Sequence, residues 1–102
     1  MRKALAMQNL IKTYNLPLVP AGVNVALERI GILEKIRYRS TTGSEVEKFY
    51  HALTTAGQKY GINQSTMHEF RTEPRYFVET FPELMSLVVE RIAADVARLG
   101  QS

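Results

Sequence analysis

The sequence predicts a single α+β domain in which two helices, a β-hairpin and a long C-terminal helix follow one another along the chain. Three observations support this prediction. Apolar residues recur at helical spacing on both sides of Pro17, the period shortens to two residues from Leu33, and a helical period returns from Pro82. A length of 102 residues suits one domain, with its core between about residues 3 and 99.

The first two helices are predicted over residues 3–14 and 20–30. Pro17 cannot continue the first helix, whereas Pro20 suits the first turn of the second, where a missing N–H costs nothing. Gly31 is expected to end the second helix in a left-handed conformation. The apolar stripes are Leu5, Leu10, Ile11 and Tyr14 in the first helix, and Val23, Ala26, Leu27 and Ile30 in the second. Two helices joined by a short turn have the spacing of a helix-turn-helix.

A β-hairpin is predicted directly after these helices. In residues 33–39, charged residues alternate with Ile36 and Tyr38, which is the period of a half-exposed strand. Residues 40–44 have turn chemistry, and residues 48–53 form the predicted returning strand. A hairpin after a helix-turn-helix is the arrangement of a wing. The predicted fold class is therefore a winged helix-turn-helix with a β-hairpin wing and a long C-terminal helix.

The remaining segments complete the α+β pattern. We expect a short helix capped by Thr54 and stopped by Gly61, then irregular polar chain over 62–75 and a third strand over 75–81. Its aromatic residues Tyr76, Phe77 and Phe81 are expected in the core. The last helix begins at Pro82 and runs to about Leu99, before Gly100. Its apolar positions are Leu84, Leu87, Val88, Ile92, Val96 and Leu99, widened by Met85 and Val89.

Composition restricts the class of protein. A hydrophobic fraction of 45% and a charged fraction of 23% are typical of a folded globular chain. The chain has no cysteine, which excludes disulfides and thiolate metal sites and fits a reducing cytoplasm. No apolar run approaches the roughly 18 residues that span a bilayer. Polar residues interrupt the N-terminal apolar stretch too early for a signal peptide.

The residues offer no basis for catalysis. His51 and His68 fall in different predicted elements, and neither has further ligands at the spacing a metal site needs. No glycine-rich phosphate loop and no nucleophile signature is present. We therefore expect no enzymatic activity, no metal and no cofactor.

The basic residues give the strongest functional signal. The net charge is +3, and residues 1–60 carry nine Lys and Arg against four Glu, whereas residues 61–102 carry four Arg against six acidic residues. Lys35, Arg37 and Arg39 share one face of the first hairpin strand, because side chains two apart point the same way. Lys48 is expected to join that face, which could hold the phosphates of double-stranded DNA. Alternatively, these charges form a solvated face that discourages edge pairing.

The helix over 20–30 is the candidate recognition helix. Asn24 can pair with adenine and Glu28 can accept from cytosine, with Arg29 at the margin. The helix has few cations, which leaves open that the same fold binds a protein instead. The last helix is expected to join two copies in a homodimer, which would double the DNA-binding surface. The predicted dimer residues are Leu84, Val88, Ile92 and Val96.

Three runs of residues resemble one family. The run from Asn24 to Leu33, the run Leu-Thr-Thr-Ala-Gly-Gln-Lys-Tyr-Gly from Leu53 to Gly61, and the run from Thr72 to Leu84 keep their order along the chain. Together they are similar to the C-terminal domain of phage antirepressors, the KilA C-terminal type. The resemblance implies a winged-helix regulatory protein of phage or prophage origin, in the cytoplasm of a bacterial host cell, and supplies no catalytic residue.

Two functions follow as expectations. The first is a DNA-binding regulatory domain of phage or mobile-element origin, an antirepressor-like transcriptional regulator. The second is a protein-interaction module on the same fold that captures a repressor or a host protein through its acidic second half and its last helix.

Overall fold

The computed structural model describes residues 3–39, 47–67 and 71–100. Within these ranges the α+β class is confirmed, with three α-helices and five strands. The elements in chain order are β1 (Ala4–Leu5), α1 (Met7–Thr13), α2 (Pro20–Ile30), β2 (Leu33–Arg39), β3 (Glu47–Leu53), a 3-10 turn (Ala56–Lys59), β4 (Gly61–Ser65), β5 (Thr72–Phe77) and α3 (Phe81–Leu99).

The strands form two antiparallel sheets. One sheet has three strands in the order β1-β5-β4, and the other is the β2–β3 hairpin. The hairpin confirms the predicted strand from Leu33 to Arg39, and its return begins one residue earlier than predicted. The two sheets share no strand ladder within the described residues, so side chains and short loops must fix the hairpin on the rest of the domain.

Helix α2 has the predicted bounds because both ends are set by local chemistry. Pro20 opens its first turn after the extended residue Val19. Gly31 ends it with φ of 92°, a left-handed conformation that favours glycine. The N–H groups of Gly31 and Ile32 both donate to the Leu27 carbonyl, which closes the last turn.

The core lies where the three helices meet the three-stranded sheet. Its completely buried side chains include Leu10 of α1, Leu27 of α2, and Leu84 and Val88 of α3, packed with Tyr76 of β5. The predicted core positions of Tyr76, Phe77 and Phe81 are confirmed, since each is buried. Helix α3 packs on α2, so the C-terminal helix closes the domain over the first part of the chain.

Two predictions for the sheet segments are wrong. The helix predicted from residue 3 starts only at Met7, because Ala4 and Leu5 pair with Phe77 and Tyr76 as a short strand. The chain over 62–75 is not irregular throughout. It contains β4 and most of β5, which pair with each other.

Two further predictions are wrong: the strand over 75–81 and the role of Gly61 as a helix stop. Strand β5 spans Thr72–Phe77, and Phe81 is already the first residue of α3. Gly61 does not stop a helix but opens β4, where a Cβ would collide with the Arg75 carbonyl oxygen. Pro74 is tolerated in β5 because β1 covers only the far end of that strand, at Tyr76 and Phe77.

Hydrogen bonds close the base of the hairpin, where β2 begins and β3 ends. The Thr54 N–H donates to the Ile32 carbonyl at 2.9 Å, and Thr54 Oγ1 donates to the Gly31 carbonyl at 2.6 Å. The Gly57 N–H donates to Thr54 Oγ1 at 3.1 Å, so Thr54 bonds the backbone of the short turn that follows, although the residue at its N-cap is Thr55 and not the predicted Thr54. Thr54 therefore joins the end of α2, the base of the hairpin and the 3-10 turn.

Candidate nucleic-acid interface

The hairpin register places the predicted cations on one face. Opposite residues of an antiparallel pair share a face, and the pairs here are Lys35 with His51, Arg37 with Phe49 and position 39 with position 47. Lys35 and Arg37 are both exposed. We name the surface formed by Lys35, Arg37, Phe49 and His51 the basic face. Arg39 continues the same row by its backbone position, and its side chain lies outside the described set.

Lys48 does not belong to this row. In the register it lies opposite Tyr38, one residue out of phase with the positions that carry Lys35 and Arg37. The expectation that Lys48 would join the same face is therefore wrong, because a shift of one residue moves a strand position to the other side of the sheet. Only its backbone position is described.

Phe49 is the residue of this face that the sequence reasoning missed. Its side chain is 52% exposed. The Lys35 Nζ atom lies 4.9 Å from the centre of the Phe49 ring, and the His51 ring meets it edge-on with centroids 5.9 Å apart. Alternation along the returning strand puts Phe49 and His51 on one face, but only the hairpin register shows that this is the face of Lys35 and Arg37. The basic face therefore combines cations with a partly exposed aromatic ring.

Burial decreases along the hairpin away from its base. Leu33, Ala52 and Leu53 are buried at the base, whereas Arg37 and Phe49 are exposed farther along the strands. On the opposite face, the half-buried Tyr38 and Tyr50 rings contact each other with centroids 5.8 Å apart. The basic face consequently lies on the part of the hairpin that extends from the domain.

The predicted recognition residues of α2 face the protein's own elements. Asn24 is half-buried and lines a cleft beside β3. Glu28 Oε1 lies 3.5 Å from His51 Nε2, which connects α2 to the basic face. Arg29 Nη1 contacts Asp95 Oδ2 at 2.7 Å, which ties the end of α2 to α3. Sequence periodicity could not show these contacts, because they depend on how the hairpin and α3 fold back on α2.

The cleft beside Asn24 has a volume of about 540 Å³ and lies between α1, α2, β3 and β5. His51, Arg71 and Tyr76 also line it. The Tyr76 hydroxyl is buried and has no hydrogen-bond partner within the described residues. Burial raises the pKa of this phenol well above its usual value of 10.0, so Tyr76 stays neutral. His51 belongs both to the lining of this cleft and to the basic face.

Three arginine side chains contact the carboxylate of Asp95 in α3. Arg91 Nη2 lies 2.7 Å from Asp95 Oδ1, and Arg29 and Arg98 contact the same carboxylate. The hydrogen bond from Arg91, together with those from Arg98 and Arg29, holds the Asp95 pKa far below its usual value of 3.8. Arg29, the cation near the end of α2, thus forms an ion pair within the chain.

The predicted dimer residues fall into two groups. Leu84 and Val88 are completely buried in this chain's own core, so they cannot form a surface for a partner. Ile92 and Val96 are exposed by 39% and 58%. The apolar stripe of α3 serves the core in its first half and faces solvent in its second, where Val89 and Leu99 are also exposed.

No candidate metal site and no candidate membrane-spanning helix is found in the described part of the chain. No group of three His, Asp or Glu residues there could hold a metal ion. His68 lies outside the described residues. None of the described helices has both the length and the apolar character needed to cross a membrane.

Comparisons with known proteins add no relative: no family model, no curated protein and no solved structure matches the chain. The resemblance to phage antirepressor C-terminal domains stays a prediction from the residues alone.

Proposed function

We propose that this chain is a DNA-binding regulatory domain of the phage antirepressor class, on a winged-helix fold, and that its hairpin holds the DNA backbone. The observation that carries the proposal is the basic face, where Lys35 and Arg37 are exposed side by side on the extending part of the hairpin. The order of α1, α2 and hairpin agrees with the winged helix expected from the sequence.

The spacing of this row suits a phosphate backbone. Alternate residues of a strand lie about 6.7 Å apart, which is far enough for each side chain to contact its own phosphate. Positions 35, 37 and 39 can therefore contact separate phosphates along a DNA strand. Such contacts position a protein on DNA without reading its sequence.

In this proposal α2 contributes less affinity than the hairpin. Arg29 forms an ion pair with Asp95, and Glu28 lies beside His51. Glu28 contacts His51 of the basic face, and Asn24 lines the same cleft as His51. Direct base reading by α2 would need the hairpin to move away from them, so we assign the main affinity to backbone contacts.

The test is a fluorescence-anisotropy titration of the whole chain against random duplex DNA at several salt concentrations. Binding should weaken steeply with salt. The Lys35→Gln, Arg37→Gln double variant should reduce the slope of log K against log salt by about 1.8, roughly 0.9 for each phosphate that the variant no longer neutralises. Lys12→Gln, an exposed cation on α1, is the matched control and should leave the slope unchanged. Absence of DNA binding at low salt would refute the proposal.

A second candidate is the protein-interaction module, and the exposed apolar stripe of α3 favours it. Val89, Val96 and Leu99 are exposed by 57%, 58% and 75%. A protein partner on this stripe would leave the basic face unused. This candidate predicts that the chain shows no salt-dependent DNA binding. It also predicts that Val96→Glu abolishes a complex with a repressor or a host protein.

A further inference from the structure

Phe49 lies between cations on the extending part of the hairpin, a position that core packing does not explain. Its ring is 52% exposed, whereas Tyr76, Phe77 and Phe81 on β5 and at the start of α3 are buried. Scattered exposed apolar residues are common on protein surfaces. Phe49 differs because its neighbours on the same face are Lys35, Arg37 and His51.

Two side chains of the basic face contact this ring. Lys35 Nζ lies over it at 4.9 Å from its centre, and the His51 ring is perpendicular to it at 5.9 Å between centroids. The site thus presents a half-exposed aromatic ring with a positive charge against it.

This combination matches the chemistry of a nucleotide with an accessible base. Nucleic-acid sites without sequence preference pair cations, which follow the backbone, with aromatic rings on which bases stack. In a fully paired duplex the base faces are covered by neighbouring pairs, and a ring at the groove reaches only their edges. A base that has left the stack exposes the face that an aromatic ring can contact.

We propose that Phe49 stacks on an unpaired base, so that the basic face prefers DNA with unpaired bases over fully paired duplex. Lys35 and Arg37 then hold the phosphates on either side of the stacked nucleotide. This inference rests on the proposed DNA-binding function and names the class of DNA that the same site prefers.

The experiment compares two labelled duplexes of equal length, one fully paired and one with a central unpaired bubble, against the whole chain. The wild type should bind the bubble about tenfold more tightly, as expected for one stacked base. Phe49→Leu should lose this preference while keeping its affinity for paired duplex. Phe49→Tyr, which preserves an aromatic ring, should retain the preference. Ile62→Ala, at a 41% exposed apolar position on β4, is the control and should behave as wild type.

A second readout reports stacking directly. The fluorescent adenine analogue aminopurine, placed in the bubble, should be quenched by the wild type and by Phe49→Tyr but not by Phe49→Leu. Equal wild-type affinity for the two duplexes, or an equal loss on both in Phe49→Leu, would overturn the stacking role and leave the DNA-binding proposal standing. Failure to bind either duplex at low salt would overturn both proposals.

Discussion

The side-chain amide of Asn63 binds both backbone polar groups of Leu53. Asn63 Oδ1 accepts a hydrogen bond from the Leu53 N–H at 2.7 Å, and Asn63 Nδ2 donates to the Leu53 carbonyl at 3.2 Å. Leu53 ends β3 of the hairpin, whereas Asn63 lies in β4 of the other sheet. The amide thus replaces the peptide group of a neighbouring strand and joins the two sheets.

Asn63→Ala should therefore destabilise the domain. It would leave the N–H and carbonyl of the buried Leu53 without partners, at a cost of about 1–3 kcal/mol per unsatisfied group. Urea unfolding followed by circular dichroism measures the loss. Gln64→Ala, at the exposed neighbouring position, is the control and should change the free energy of unfolding by less than about 0.5 kcal/mol. Equal stability of the two variants would show that the amide bridge contributes nothing.

Replacing each of two glycines with alanine should change the stability of the domain in opposite directions. A Cβ at Gly57 would overlap the Ile32 carbonyl oxygen and lie 3.2 Å from Leu53 Cβ. Gly57→Ala should therefore cost about 1–3 kcal/mol. A Cβ at Gly22, exposed in α2, would meet only Val19 Cγ2 at 3.7 Å.

Gly22→Ala should consequently stabilise the domain by about 0.5–1 kcal/mol, because alanine favours the helix. Thermal unfolding of both variants side by side checks the pair. A Gly57→Ala variant as stable as the wild type would contradict the close approach of the 3-10 turn to Ile32.

Asp95→Asn should change how stability depends on pH. The folded-state pKa of Asp95 lies below its usual value of 3.8, since three arginines contact the carboxylate. The stability that Asp95 contributes is therefore fully present above about pH 5 and is lost as the pH falls through the folded pKa. The melting temperatures of wild type and Asp95→Asn should differ most near neutral pH and converge in acid.

Salt provides the control for this prediction. Exposed ion pairs are screened, so the difference between the two proteins should also shrink at high salt. A gap in melting temperature that persists unchanged from neutral pH into acid would show that the charge of Asp95 does not stabilise the fold.

The homodimer predicted from the sequence can use only the exposed half of α3. Val96→Glu should convert a dimer into a monomer, because it places a charge in the middle of the exposed apolar stripe. Ala94→Glu, about 160° away around the helix from residue 96 at 100° per residue, is the matched control. Light scattering after size-exclusion chromatography measures the mass. A wild type that is monomeric at high concentration, or an equal effect of both variants, would contradict the dimer.

The sequence predicted best those elements whose limits are set locally. Pro20 and Gly31 mark the ends of α2, and the two-residue period marks β2, so both elements have the predicted bounds. Strand β4 has no comparable signal, because Gly61–Ser65 is mostly polar and is stabilised by pairing with β5. The short β1 was hidden within a helical pattern, and only its pairing with residues 76 and 77 defines it.

The candidate site was predictable only in part for a related reason. The alternation of Lys35 and Arg37 shows in the sequence which strand positions share a face. The place of Phe49 on that face depends on the hairpin register. Helical periodicity likewise puts Val88 and Val96 on one stripe, but cannot show that the core ends between them.

The hydrogen bonds of Thr54 have a mechanical consequence for the hairpin. They hold its base, and the basic face lies toward the other end. A rotation of the hairpin as a unit would therefore pivot at Gly31, Ile32 and Thr54. Strand β2 is about 20 Å long, so a rotation of about 10° about the base would displace its far end by about 3–4 Å. Substitutions at Thr54 or Gly57 should therefore shift Lys35 and Arg37 relative to the rest of the domain, although neither residue belongs to the basic face.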